Sequence, residues 1–341
     1  MTDLWTQLQS AKKPIFLYGT GNGADKILNE LEKRNITVSG VFASNGFVRN
    51  REFRGFHVVS FDEAIGEYGD IISLVSFGSQ LPEVMENIKK IASVCETYAP
   101  DVPVIEDNEI FDAVYYKNHE NEIKAAYELL ADELSKKVYK DIISYKLTGK
   151  LEYLFDCETS KEEAYKLLNF KDGEAYIDLG AYNGDTVEEF AHLVKNYEKI
   201  IAVEPDKRNF RKLENNVKGL HNVETYNGAI GDKSGKVFFS QRGGRNSAVD
   251  QSGEEIPMFC VDDILAGGKA TYIKMDIEGQ EESAIIGAQN TIKKFSPKLN
   301  VAAYHRNSDL FKFPLLLHEI NPQYKFYLRH HPYIPAWDTN Y

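Results

Sequence analysis

"YIDLGAYNGDT", residues 176–186, is the stretch on which the reading of the fold turns. An apolar run ends in Asp178, Gly180 and Gly184 let the backbone turn tightly, and Asp185 and Thr186 are placed to cap a following helix. A strand, a glycine turn and a helix in that order expose backbone N–H groups where a ligand can come close. The next apolar run, "KIIAVEP", ends in Glu204–Pro205, twenty positions after Gly184. A carboxylate at that neighbouring strand tip can accept both hydroxyls of a ribose. The same logic serves NAD and S-adenosylmethionine, so turn and acid together specify an adenosine-type ligand and no more.

Working outward, strand candidates alternate with helix candidates from Ala175 onward. "AYIDLG", "KIIAVEP", "VETYNGAI", "TYIKMDI", "KLNVAAYH" and "YKFYLRH" read as strands. "TVEEFAHLV", "RNFRKLENNV" and "EESAIIGAQNTIKKF" read as the helices between them. "KVFFSQ" and "IPMFCV" break the alternation and read as an inserted hairpin. An earlier alternation runs from Pro14 to about Glu106, with "IFLYG", "TVSGVFA", "HVVS" and "IISLVSF" as strands. There "GADKILNELEKRN" sets Ile27, Leu28 and Leu31 at helical spacing. Strand–helix alternation of this kind builds parallel sheets with right-handed crossovers. Between the two, "ENEIKAAYELLADELSKKVYKDIISYKLTG" carries helical spacing and stops at Gly149. The expected organisation is a Rossmann-like parallel-sheet domain at 1–106, a helical connector at 107–169 and a second α/β domain at 170–341.

At 341 residues the chain is comfortable for two domains, and 43% hydrophobic with 27% charged residues suits a globular protein. A net charge of −12 argues against nucleic-acid or acidic-membrane surfaces, which need clustered Lys and Arg. No stretch approaches a membrane span and the N-terminus lacks a signal-peptide core, so a cytoplasmic protein is expected. Cys95, Cys157 and Cys260 are far apart, without metal-ligand spacing, and read as reduced thiols.

"DLGAYNGDT", "AVEPD", "NGAIGD", "YIKMDIEGQEESAIIGA" and "AAYHR" follow one another between 178 and 306. This set resembles the FkbM family of S-adenosylmethionine-dependent methyltransferases over nearly all of residues 170–335, with "KMDIEGQE" followed by "IIGA" as the specific part. The resemblance implies a Rossmann-like seven-stranded methyltransferase domain, S-adenosylmethionine as cofactor, and methyl transfer to an oxygen of a carbohydrate-like or polyketide-like acceptor. It implies that Asp178, Gly180, Ala181, Tyr182, Asn183, Gly184, Asp185 and Thr186 wrap the cofactor's methionine end. Glu204 would take the ribose hydroxyls, with Pro205 and Asp206 shaping that edge and Asn227, Gly228 and Ala229 beside the adenine. Asp276 and Glu278 would lie at a strand tip near the reactive methyl. The chain stops at "WDTNY", which leaves the final sheet edge short.

The chemistry has its own logic. A sulfonium methyl is already electrophilic, so the protein mainly aligns it with an acceptor and excludes water. A neutral hydroxyl is a poor nucleophile, and a base near the forming bond helps. Asp276 and Glu278 supply negative charge, and His305 can accept a proton near neutral pH. These three form the expected catalytic set. No His, Cys or carboxylate spacing demands a metal, and none is expected, although Asp276, Glu278 and His305 form a conceivable trio. His330 and His331 read as surface groups, Asp262 or Asp263 as a cap for the short helix "VDDIL", and Tyr115, Tyr116 and Tyr127 as packing residues. Asn246 and Ser247, after Gly243–Gly244, read as a loop.

The other glycine turn, "YGTGNGADK" at 18–26, sets Gly19, Gly21 and Gly23 between a strand and a helix, a context that suits a phosphate. Its neighbouring strand ends in Ser44 and Asn45, where NAD binding favours an acid, which weakens a dinucleotide reading. The expected partner is a small-molecule or glycan acceptor, with a nucleotide-linked or phosphorylated form considered for this turn; a structural module without ligand competes with that reading. The sequence carries no signal for an oligomeric state. Against the methyltransferase stands a non-catalytic nucleotide or nucleotide-sugar binding protein, which has no need of Asp276 and His305.

Overall fold

The computed structural model describes residues 2–44, 47–48, 52–105, 109–240, 248–249 and 253–341. Asn45, Gly243, Gly244, Asn246, Ser247 and the expected boundary at 106/107 lie outside the described residues. The chain forms two compact units, Met1–Ser160 with Leu328–Thr339, and Lys161–Tyr327 with Asn340–Tyr341. No helix among the described residues is long and apolar enough to cross a membrane.

In unit 1, α1 (Leu4–Gln9) starts where the Asp3 carboxylate accepts the Thr6 N–H at 2.8 Å. There follow β1 (Ile15–Tyr18), α2 (Asn22–Lys33), β2 (Gly40–Ala43), β3 (Glu52–Phe53), β4 (Phe56–Ser60), α3 (Phe61–Tyr68), β5 (Ile72–Val75), α4 (Pro82–Val94) and β6 (Glu96–Tyr98). The sheet order is β3-β4-β2-β1-β5-β6, parallel except for β3 against β4. "IFLY", "GVFA" and "ISLV" are buried at every position, as expected of parallel strands covered on both faces. α2 turns Ala24, Ile27, Leu28 and Leu31 into that core; each large apolar side chain so buried contributes about 1.5–3 kcal/mol. α5 (Ala113–Asn118) comes first; the run read as helical over 120–149 is two helices, α6 (Glu120–Glu128) and α7 (Glu133–Thr148), and α8 (Leu151–Cys157) follows. Gly149 ends α7 in the left-handed region at φ +65°, which explains the stop read there.

Unit 2 begins with α9 (Lys161–Leu168), then β7 (Ala175–Leu179), α10 (Asp185–Leu193), β8 (Lys199–Glu204), α11 (Lys207–Asn216), β9 (Val223–Asn227), β10 (Ala229–Ile230), β11 (Gly235–Ser240), β12 (Ala248–Val249) and β13 (Glu254–Phe259). It continues with α12 (Val261–Leu265), β14 (Tyr272–Met275), α13 (Glu281–Gly287), α14 (Gln289–Phe295), β15 (Lys298–Val301) and α15 (Asp309–Ile320). A parallel sheet of order β15-β14-β7-β8-β9 is the core. The chain enters at the central β7 and builds outward on both sides, so the carboxyl ends of β7, β8 and β14 flank a topological switch point. Tyr176, Phe190, Tyr197 and Tyr272 pack with Val187, Ile200 and Leu213 on one face.

Five strands stand where the resemblance implies seven, and the reasons are local. "VETYNGAI" is broken at Gly228, where a Cβ would lie 2.6 Å from the Pro257 carbonyl oxygen, and β10 then joins β13 and the expected β11–β13 hairpin in a second sheet. "YKFYLRH" is strand only at its end, as β16 (Arg329–His330), and Thr339–Asn340 form β17. The short edge expected from "WDTNY" exists as a bridge: Val301 and Tyr341 exchange N–H···O bonds of 2.9 and 3.0 Å beside β15. The helix read over 281–295 is split in two at Ala288. Asp262 caps α14 rather than α12, accepting the Asn290 and Thr291 N–H groups at 3.0 and 2.9 Å. His330 and His331, read as surface groups, are buried in unit 1. His331 Nδ1 donates to the Thr159 carbonyl at 2.9 Å, and His330 Nδ1 lies 3.0 Å from Thr339 Oγ1. The hydroxyl of Thr339 is spent on the Ala336 carbonyl, so the His330 proton sits on Nδ1, and burial holds the ring neutral with a pKa down to about 3.

Candidate active site

The switch point of unit 2 gathers the residues singled out in the sequence. Asp178 is fully buried near the end of β7, in register with Lys274 of β14, whose Nζ lies 3.2 Å from Asp178 Oδ1. Burial disfavours the Lys274 charge, but the carboxylates of Asp178 and Asp276 outweigh it and hold the ammonium above its ordinary value. Thr186 Oγ1 donates to Asp178 Oδ2, which corrects the capping role expected of it. α10 starts from Gly184 without a side-chain cap, and Asp185 accepts only the Thr186 N–H.

Gly180 sits at φ +84°, and a Cβ there would lie 1.9 Å from the Asp276 carbonyl oxygen. The turn therefore lies directly against the tip of β14. Gly184, at φ +88°, packs less tightly, with a Cβ there 2.9 Å from a Leu213 methyl. Between them Tyr182 takes the left-handed region at φ +47° with its side chain partly exposed, and Ala181 is buried in the core. Asn183 receives the Asn216 side-chain amide on its carbonyl at 2.9 Å.

Glu204, at the tip of β8, is buried, and its two oxygens accept the backbone N–H groups of Tyr182 and Asp206 at 2.9 Å each. Burial raises its pKa to about 7 against those two bonds, which lower it. Asp206 caps α11 through the Arg208 and Asn209 N–H groups at 2.8 and 3.0 Å. The Asn227 amide donates to the carbonyls of Glu204 and Pro205 at 2.9 and 3.2 Å, with Gly228 and the buried Ala229 continuing the same rim. A carboxylate that accepts one N–H per oxygen keeps lone pairs for further donors.

Beyond β14 stands a dense ionic cluster. His305 Nε2 lies 3.6 Å from Asp276 Oδ1 and 3.4 Å from Glu278 Oε2, while Nδ1 lies 3.0 Å from Glu281 Oε1. The side chains of His305 and Glu281 are 1% and 0% exposed, whereas those of Asp276 and Glu278 are 40% and 35% exposed. Burial alone would strip the His305 proton, but Glu281, with Glu278 and Asp276, outweighs it and holds the imidazole well above its ordinary pKa. Tyr304 donates to Asp276 at 3.1 Å, and Glu281 Oε1 accepts the Ile277 N–H at 2.8 Å. Asp309, buried at the start of α15, is raised to about 7 by burial and by Glu281. Lys274, Glu281, Tyr304 and Asp309 escaped the sequence reading. Lys274 could have been found by pairing β14 with β7 in register, and Glu281 by its three-residue spacing from Glu278.

In unit 1, the first glycine turn is packed from within. A Cβ on Gly19 would meet Phe77 at 2.6 Å and Ser76 Oγ at 2.8 Å, and one on Gly23 would lie 2.3 Å from the Ser76 carbonyl oxygen. Tyr18 stacks on Phe42 at 4.8 Å and meets Phe77 edge-on at 4.9 Å, its hydroxyl bonded to Ser44.

Residues 178–333 match the family model described as the Methyltransferase FkbM domain. No curated protein sequence matches the chain. Among solved structures, the methyltransferase FkbM of Methylobacillus flagellatus KT is similar over 96% of this chain and 89% of its own, with a TM-score of 0.75 and 22% identity. The precorrin-6y C5,15-methyltransferase of Geobacter metallireducens GS-15 aligns over 53% of this chain and 84% of its own (TM-score 0.34, 14% identity). The fibrillarin of Aeropyrum pernix, solved with S-adenosyl-L-methionine, aligns over 53% and 72% (TM-score 0.33, 15% identity). The likeness to the Methylobacillus protein extends the fold assignment to nearly the whole chain. The family likeness of this chain to the methyltransferase FkbM domain thus lies in residues 178–333, the span that carries the switch point of unit 2.

Proposed function

We propose that unit 2 binds S-adenosylmethionine at the switch point and methylates an oxygen of a hydroxyl-bearing, carbohydrate-like acceptor. The observation that carries the reading is Glu204: a buried carboxylate at the tip of β8, beside a turn whose Gly180 leaves no room for a Cβ. A carboxylate kept dry with lone pairs to spare is suited to two vicinal ribose hydroxyls, and the pocket residues fit the cofactor on that ground. When bound, the cofactor supplies an electrophilic sulfonium methyl whose departure leaves a neutral thioether. Asn227 and the Gly228–Ala229 rim would border the adenine, and the Gly180–Thr186 turn would hold the amino-acid end.

The chain's own contribution to the transfer lies at the tip of β14. Asp276 and Glu278, both substantially exposed, would orient the acceptor hydroxyl and take its proton as the oxygen–carbon bond forms. His305 is nearly inaccessible to an acceptor, so it serves this reading by holding the two carboxylates in place and not as the base. The packed aromatic turn of unit 1 supports a structural role for that turn. Calorimetry with S-adenosylmethionine, S-adenosylhomocysteine and NAD tests the binding: the first two bind and NAD does not. Equal affinity for NAD would sink the proposal. Transfer of labelled methyl to a panel of sugar and glycan hydroxyls tests the acceptor class.

A further inference from the structure

We propose that Asp276, Glu281 and His305 form a divalent-cation site, with Glu278 in reach, that takes a hard ion such as Mg²⁺ or Mn²⁺. One ligand atom from each of the three lies within 4.8 Å of the others. An octahedral ion with bonds of about 2.1 Å holds neighbouring ligand atoms about 3 Å apart and opposite ones about 4.2 Å apart, so small side-chain shifts close the set. The donors are one imidazole and carboxylates, a combination that suits hard and borderline ions and not soft ones; the ion takes the place of the imidazole proton, which leaves to solvent.

Two further observations point to an occupant. Both ring nitrogens of His305 and Glu281 Oε2 are buried without a hydrogen-bond partner, although carboxylate oxygens lie at 3.0 to 3.6 Å from the ring. Atoms that are close but misaligned for bonding to one another are arranged as ligands are around a common centre. Charge gives the same answer: three carboxylates face one imidazole, an excess of negative charge even when the ring is protonated. Two cations nearby are committed elsewhere, Lys274 to Asp178 at 3.2 Å and Arg306 to the Gly279 carbonyl at 3.3 Å. The exposed sides of Asp276 and Glu278 leave a way in.

The consequence, though not the site itself, rests on the methyl-transfer reading. A cation here would lower the pKa of an acceptor hydroxyl brought to it. The hydroxyl would pass its proton to Glu278 and on to solvent, the oxygen's electron pair would form the bond to the methyl carbon, and the carbon–sulfur pair would stay on sulfur. Such a site turns an unreactive alcohol into a nucleophile without asking the buried His305 to act as a base.

The experiment is an Mn²⁺ titration of the chelator-stripped full chain, followed by the electron paramagnetic resonance of free Mn²⁺. One equivalent is expected to bind, and His305→Ala and Asp276→Asn, which remove direct ligands, to weaken binding by at least the roughly 10–100-fold that loss of an outer-shell partner costs. Should His305→Ala fail to fold by circular dichroism, Asp276→Asn, at a half-exposed side chain, carries the comparison. An undiminished free-Mn²⁺ signal with the unaltered chain at millimolar metal overturns the proposal, as does wild-type affinity in folded Asp276→Asn. Calorimetry with S-adenosylmethionine on the same stripped sample keeps the two readings apart. Cofactor binding without Mn²⁺ binding removes only the cation site; Mn²⁺ binding without cofactor binding removes only the methyl-transfer reading.

Discussion

Gly19 and Gly180 each follow a parallel strand with a positive φ, +113° and +84°, and each is walled in so that a Cβ would clash. Around Gly19 the walls are Phe77 and Ser76, with Tyr18 and Phe42 stacked beside them; around Gly180 they are backbone of the β14 tip, with Asp178 and Glu204 buried close by. One turn has spent its close approach on aromatic packing. The other has gathered carboxylates whose burial costs stability unless donors are supplied. Backbone plan alone therefore does not make a binding site; the chemistry of the neighbouring strand tip does.

The largest effect is expected from Gly180→Ala, which adds backbone strain to a 1.9 Å clash with the Asp276 carbonyl oxygen. A loss above about 4 kcal/mol, seen as a collapse of the chemical-denaturation midpoint, is expected. A well-folded Gly180→Ala protein would mean the turn is not pinned to β14.

The two units are next expected to answer pH in opposite senses. His330 in unit 1 has a folded pKa of about 3 against an ordinary 6.5, so its contribution is complete above 6.5 and is lost as pH falls toward 3. Glu204 in unit 2 has a folded pKa of about 7 against an ordinary 4.5, so its contribution is complete below 4.5 and is lost as pH rises through 7. Each swing is at most on the order of 3–5 kcal/mol. Glu204→Gln should lessen the neutral-side decline, which Asp309 of the same unit shares, and leave the acid side as it was. An unchanged profile in that variant would show that Glu204 is not buried in solution.

A smaller effect belongs to affinity. Glu204→Ala is expected to weaken S-adenosylmethionine binding by about 1–3 kcal/mol, and Ser44→Ala, at the matching strand tip of unit 1, to leave it unchanged. Calorimetry on both variants checks this, and a reversal of the two results would exchange the roles of the turns. The smallest change is Gly21→Ala, where a Cβ meets nothing within 4 Å and φ is −94°. Stability should move by no more than about 0.5 kcal/mol.

Much of this was legible because parallel strands and amphipathic helices write their periods plainly: "IFLY" and "AYIDL" became β1 and β7, and Gly149 ended its helix. The positions of Asp178 and Glu204 followed from strand ends. What escaped was burial of polar groups. Glu281 and Asp309 look like solvated first-turn acids on their helices, and nothing local announces that both are enclosed. His330 and His331 were misread for the same reason, since their partners Thr159 and Thr339 are set by tertiary contacts. Asp262 capped α14 instead of its own helix because the splitting of 281–295 at Ala288 created an N-terminus that helical periodicity does not mark.

The composition of unit 1 has a consequence for the order of events on the ribosome. Its last strip, Leu328–Thr339, is separated from the rest by the whole of Lys161–Tyr327. That strip brings Arg329 to Asp132 at 2.7 Å, His330 to Thr159, and Ile334 into paired bonds of 2.8 and 3.0 Å with Ser79. Until it leaves the exit tunnel, the side chains that receive it stay uncovered, however early the first sheet collapses. Nascent unit 1 must therefore wait while unit 2 is synthesised, and at about 5–20 residues per second that wait lasts on the order of ten seconds or more. During that interval the residues that will receive the strip, Ser79, Asp132 and Thr159 among them, lack those partners.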